Sequence, residues 1–372
     1  MAKLPSGRNG WLMAVPILAV GTGMCPLLPR LFPAGTPAPE DTRRVFHLKD
    51  GVWTPTPPFP GGLYGLKASA KGAVWSIANS RGGLCRLDGD RWTYFGKQQF
   101  GSHTDWLPGG FALRDEEVWG ATDAGVVRFD GPSWRLYAEA LTTARPSATV
   151  AGSSGVWIID EDGNLWHFDG SSWTTQSLAG VVPAEPPARG SEGDDDPGMA
   201  MTDDGRVWVS WRGLWRQDGD AWREVRSPGL NLAEVWPIGH DAENVWLWLW
   251  RTGEVAEAAP DGRVAARYGW REMGVPKSAV MSRLVASKGR IWIASSSGLL
   301  TFAGGRWSNR GLPPGCTALR DVALAPDGSA WVLGETRPQP GIGRLFGLPG
   351  GSAAIVLMAI GLLISAWLRR RA

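Results

Sequence analysis

Four histidines, one run of carboxylates and a few tryptophans outside any repeat are the residues of this chain whose types could do chemistry. His103 stands two residues before Asp105, and His240 directly before Asp241. An imidazole held by a carboxylate can serve as a general base if a nucleophile lies within reach. Neither pair is accompanied by a Gly-x-Ser-x-Gly elbow, so no residue is assigned a catalytic role. His47 and His167 alternate with apolar neighbours and are expected on strands, facing the surface. Glu192, Asp194, Asp195 and Asp196 could offer oxygen ligands to Ca²⁺. They lack the glycine-punctuated alternation of a calcium loop, which predicts a solvated insertion over residues 181–197 and no metal. Cys25, Cys85 and Cys316 have no zinc-like spacing, and no cofactor is expected. The remaining candidates are Trp106, Trp211 and Trp236, in or near connecting segments, where an exposed indole can stack on a sugar or anchor a partner protein. Trp246, Trp248 and Trp250 alternate with Val245, Leu247 and Leu249, so both faces of that strand are apolar, and they are set aside as buried.

What must position these residues is written in the other tryptophans. Val74-Trp75 is followed by Asp88-Gly89-x-x-Trp92, and the phrase returns at Trp119 and Trp134, Trp157 and Trp173, and Trp208 and Trp222. Looser copies mark Trp246, Trp292 with Trp307, and Trp331, so the leading tryptophans occupy seven positions, spaced 38 to 51 residues apart. Each copy divides into four short strands. In the second, these are residues 110–113, 117–120, 126–129 and 134–137, with Asp130-Gly131 turning the last pair. Asp and Gly tolerate the positive φ of a tight hairpin. Four-strand repeats of roughly 40 residues predict an all-β fold, a β-propeller of seven blades. The seventh copy has only an inner half, residues 319–324 and 329–333; Val45 to Trp53 supplies the missing outer half. N-terminal strands would thus close the ring and remove its open edges. In this frame Cys85 takes a core position held elsewhere by Val127, Trp166, Trp215 and Leu300, far from Cys316, so no disulfide is expected between them.

The form Gly-x-Val-Trp…Gly-Leu-x-Arg-Phe-Asp-Gly-x-x-Trp resembles the propeller repeats of bacterial two-component sensors, over residues 43 to 337. The resemblance implies the fold. Those sensors continue into a further β-domain and a kinase, whereas an anchor is expected here, so a signalling enzyme role is not carried over.

Both ends read as membrane segments. Trp11 to Leu28 is apolar and preceded by Lys3 and Arg8, the pattern of a signal peptide or an N-terminal anchor over residues 1–32. After a linker, 338–344, residues 345–368 carry no charge and are long enough to cross a hydrocarbon core as a transmembrane helix. Arg369-Arg370-Arg371 then predicts a cytoplasmic basic tail, 369–372, which places the propeller, joined by a linker at 33–42, outside the cytoplasm of a bacterial cell. Gly350-Gly351-Ser352 before the apolar run resembles the Gly-Gly type of bacterial C-terminal sorting signal. The formal net charge of +2 argues against a nucleic-acid partner. The expected function is therefore a membrane-anchored, non-enzymatic recognition module for an extracytoplasmic protein or glycan. The alternative is a carbohydrate-active lyase or hydrolase on the same scaffold.

Overall fold

The computed structural model describes residues 43–336, apart from 79–81, 103–106, 108–109, 123, 138–144, 181–196, 228–229, 231–234, 242–243 and 288. Both apolar ends lie outside that range. Among the described residues no helix is long and apolar enough to cross a membrane.

The seven blades are present. Blade 1 consists of β3 (Leu63–Ala68), β4 (Val74–Ala78), β5 (Leu84–Asp88) and β6 (Arg91–Phe95), hydrogen-bonded in that order. Blade 2 runs from β7 (Phe111–Arg114) through β8 (Glu117–Thr122) and β9 (Gly125–Phe129) to β10 (Trp134–Tyr137), within two residues of the limits expected. Blade 3 is β11 (Pro146–Gly152) to β14 (Trp173–Ser177), and blade 4 is β15 (Gly198–Met201) to β18 (Ala221–Glu224). Blade 5 runs from β19 (Val235–Asp241) and β20 (Asn244–Leu249) to β22 (Val264–Tyr268). Blade 6 is β23 (Met281–Ser287) to β26 (Arg306–Asn309). The seventh is composite: β27 (Cys316–Leu324) and β28 (Ala330–Thr336) pair with β1 (Arg43–Lys49) and β2 (Val52–Pro55). Register runs from Arg43 opposite Glu335 to Leu48 opposite Ala330. Asp50 and Gly51, at φ 51° and 79°, make the β1–β2 turn, so Asp-Gly serves the geometry expected of it.

Seven buried clusters hold the ring, one at each blade interface. Tryptophans of the second strands are their anchors: Trp75, Trp119, Trp157, Trp208 and Trp246 are at most 2% exposed. Several reach the outermost strand of the next blade. Trp75 meets Trp134 edge-on at 6.3 Å, and Trp157 meets Trp222 at 5.8 Å. The outer-strand partners Trp92, Trp134, Trp173, Trp222 and Trp307 are half-buried, because a rim strand has a neighbour on one side only. Cys85 is buried among apolar residues of the interface between blades 7 and 1, as its place in the repeat predicts, and is not bridged to Cys316. Trp119→Ala will cost about 3–5 kcal/mol in a urea denaturation series, because the ring is fully buried and its neighbours cannot collapse into the space.

Two histidines depart from expectation. His47 and His167 lie flat on Trp331 and Trp157, with centroids 4.0 Å apart in both pairs. They are cross-strand partners of those tryptophans, so the indole covers one ring face. Blades 5 and 6 are also joined into one eight-stranded sheet by parallel pairing of Gly239 with Ala286. A Cβ at Gly239 would stand 2.7 Å from the backbone N and O of Ala286, so only glycine permits the approach.

Strand direction divides the molecule into two faces. Turns between first and second strands, and between third and fourth, span two to five residues and lie where the innermost strands end. Connections from one blade to the next span six to twenty residues and lie where the innermost strands begin. The connections that begin and end at that second, entry face carry the length variation of the repeat. Variable loops on a rigid scaffold are where binding residues concentrate.

Candidate functional site

The innermost strands surround a central channel. Its entry half is a cavity of about 350 Å³, lined by the first residues of β7, β11, β15, β19 and β23 together with β3. Its exit half is about 330 Å³. The two share Lys67, Thr149, Val150 and Arg283, which form the waist between them.

Trp236 and Trp248 form the aromatic wall of the entry half. They are cross-strand partners on β19 and β20 and meet edge-on, with centroids 5.5 Å apart at 72°. Both are half-buried. Gly198 on β15 brings its backbone beneath Trp236, a built Cβ falling 3.5 Å from the indole Cδ1. Tyr64, Phe111, Ser147 and Ser282 complete the mouth.

The waist is electrically asymmetric. Lys67, Arg283 and Asp321 each follow a register shift in their strand, as residues of β11 and β19 also do. A bulge re-aims a side chain away from the regular alternation. Asp321 is buried, and both its oxygens are engaged: Leu66 N–H donates to Oδ2 at 2.8 Å, and its neighbour Val322 N–H donates to Oδ1 at 2.7 Å. It thereby ties blade 7 to blade 1. Burial raises the Asp321 pKa, opposed by Arg283, the two N–H donors and Lys67. The Arg283 Nε stands 3.8 Å from Asp321 Oδ1, too far for a hydrogen bond, with half of the side chain exposed to the channel. Lys67 is half-buried and lines both halves of the channel. Burial, reinforced by the like charge of Arg283, lowers its pKa to about 8. Among the described residues neither cation donates a hydrogen bond; the Lys67 ammonium lies 5.8 Å from the Phe111 ring centroid. Tyr64 is shifted upward by burial and stays neutral beside them.

Of the three tryptophans singled out from sequence, the structure brings one to this site. Trp236 lines the mouth. Trp211 is corrected: it is 5% exposed, packs between blades 3 and 4, and donates its indole N–H to Glu161 O at 3.0 Å. A ring packed at 2.6–2.7 Å from where a Gly163 Cβ would stand is not available to a ligand. Trp106 lies outside the described residues, as do His103, Asp105 and the acidic insertion; for His240 and Asp241 only the backbone is described. Trp248, set aside as buried, is a second correction. Trp246, two residues earlier on the same side of the strand, is buried as expected, but Trp248 also reaches the cavity. Lys67, Arg283 and Asp321 were not foreseen. The available signal was a charged residue inside an otherwise apolar innermost strand, as in Leu66-Lys67-Ala68 and Asp321-Val322-Ala323. Among the described residues no cluster of His, Cys, Asp or Glu could hold a metal ion.

No protein-family model matches this chain, and no curated protein matches it in sequence. Solved structures do. A streptogramin B lyase superposes with a TM-score of 0.58 at 13% identity, covering 79% of this chain and 95% of the lyase. Virginiamycin B lyase from Staphylococcus aureus gives 0.55 at 12%, covering 78% and 98%. YCF48 from Cyanidioschyzon merolae gives 0.53 at 14%, covering 79% and 96%, and YCF48 has also been seen bound to D1 peptide. At these identities the likeness is one of fold.

Proposed function

We propose that this chain is a membrane-anchored, extracytoplasmic recognition module that takes a segment of a partner protein into the entry mouth of its propeller. The observation that carries the reading is the mouth itself: the half-buried Trp236–Trp248 pair beside a cavity of about 350 Å³. Aromatic rings fixed on strands give large contact area with little entropy to lose, the composition of binding hot spots. The blade-to-blade connections, which differ in length, leave and rejoin the described strands at the face where this cavity opens, whereas the turns of the exit face are short. That YCF48 holds a peptide is an instance of the same scaffold in such use. Membrane attachment rests on the uncharged run 345–368 with its terminal arginines.

One observation favours the enzymatic alternative. A lysine with its pKa lowered to about 8 can act as a general base. Yet at neutral pH roughly nine-tenths of such a group stays protonated, and Asp321, the carboxylate whose charge acts on it, has both oxygens occupied. A persistent cation suits holding better than proton abstraction.

The test is site-specific photo-crosslinking in the native membrane. A photoreactive side chain at Ser147, on the mouth, is expected to give a discrete adduct. The same group at Asp90, in a turn of the exit face, is expected to give none. Equal adducts from the two faces, or an adduct at Asp90 alone, would contradict the reading.

A further inference from the structure

Three charged residues meet at the waist, and their charges do not balance. Lys67 and Arg283 supply two positive charges; Asp321 supplies one negative charge, whose two oxygens are already taken by backbone donors of blades 1 and 7. The other charged groups on strands packed against β3 are paired elsewhere: Arg320 with Glu335, and Arg114 with Glu117. An uncompensated positive charge held between protein walls is costly to maintain, and what relieves it is an anion arriving with acceptor atoms. Both cationic heads have hydrogen bonds to give and, among the described residues, give none. Both line the entry cavity and the exit cavity alike, so an anion entering by the mouth reaches them.

We propose that Lys67 and Arg283 form the anion-binding floor of the mouth, and that the ligand is a peptide presenting a single carboxylate. The proposal rests on the reading of the mouth as a protein-recognition site. A monoanion matches the net single positive charge; a phosphate dianion would overcompensate it. The guanidinium receives one carboxylate edge, the ammonium approaches the same group from β3, and the apolar part of the segment rests on Trp236 and Trp248. The carboxylate can come from an acidic side chain or from a chain end, and the two sources are separable.

The test uses three pentapeptide mixtures, each randomised among uncharged residues at the four positions around the centre. One carries a central aspartate with both ends blocked, the second a central asparagine with both ends blocked, and the third a central asparagine with a free C-terminal carboxylate. Each is equilibrated with the detergent-solubilised full chain, and retention is read by mass spectrometry. The aspartate mixture is expected to be retained about tenfold more strongly than the blocked asparagine mixture, and K67M and R283M are each expected to remove most of that preference. Preference for the third mixture over the second would support the same floor with the chain end as the source. Equal retention of all three, unchanged in K67M but lost in a W236A W248A double variant, would overturn the carboxylate and leave recognition at the mouth standing. Absence of retention from all three would overturn both.

Discussion

Removing residues 43–55 will abolish cooperative folding of the propeller at 25 °C or lower its melting temperature by more than about 15 °C, followed by circular dichroism of the full chain carrying that deletion. The segment supplies the outer half of blade 7. Val45, Phe46 and Leu48 are at most 6% exposed and sit in the clusters on both sides of that blade. Losing three large buried side chains costs on the order of 6–12 kcal/mol, against a total stability of about 5–15 kcal/mol for a typical domain. The same deletion removes the Arg44 donation to Thr56 O at 2.8 Å and the Thr56 hydroxyl donation to Val45 O at 3.0 Å. It also uncovers β28 along its whole length, an unpaired edge that invites association. A synthetic peptide of residues 43–55 added in trans is expected to restore part of the transition. A deletion variant that melts like the parent would show that the ring does not need this closure.

Lys67→Met is expected to stabilise the fold at pH 7 while disabling the floor of the mouth. The Lys67 pKa is about 8 in the folded chain, against an ordinary 10.5. Between those values the unfolded chain binds more protons than the folded one, so this group makes stability rise with pH from about 8 to about 10.5, and below 8 the whole cost of burying the charge is present. The full shift corresponds to about 3 kcal/mol; water in the channel screens the ammonium and discounts this to about 1–3 kcal/mol. Urea titrations should therefore show K67M more stable than the parent by about that amount at pH 7, with the gain shrinking towards pH 10.5. A destabilised K67M at pH 7 would mean that the lysine is held by interactions the geometry does not contain. Functional groups kept at the expense of stability are a recurrent sign of a site.

The fold was legible because its determinants are local and repeated. Each Val-Trp pair fills an interface between blades, and each Asp-Gly marks a hairpin, so Trp75 and Trp331 could be placed by counting. Closure could be read because Val45 to Trp53 and residues 319–333 are complementary halves of one unit. The site was legible only in part. Trp236 stood out as an aromatic residue outside the frame, but Trp211 shared that property and is packed between blades. Sequence position outside a repeat does not report burial, which depends on the neighbouring blade. Trp248 was misjudged for the converse reason: an apolar strand can end at a cavity. Lys67, Arg283 and Asp321 lie on three innermost strands separated by up to 254 residues, and only ring closure brings them together. No local pattern could signal that meeting. The membrane segments we propose, by contrast, rest on composition alone.

A protonated lysine at the waist of the channel is the group we propose to hold the carboxylate of a bound peptide. The most direct measurement of this is the affinity of the retained aspartate pentapeptides for the full chain between pH 6 and pH 10. Tyr64 stays neutral over most of this range because burial raises its pKa. Affinity in the parent chain should be level below about pH 8 and then fall by about tenfold in all as Lys67 loses its proton, while K67R should show a level profile across the range. The same profile in both proteins, whether level or falling, would contradict the assignment of Lys67.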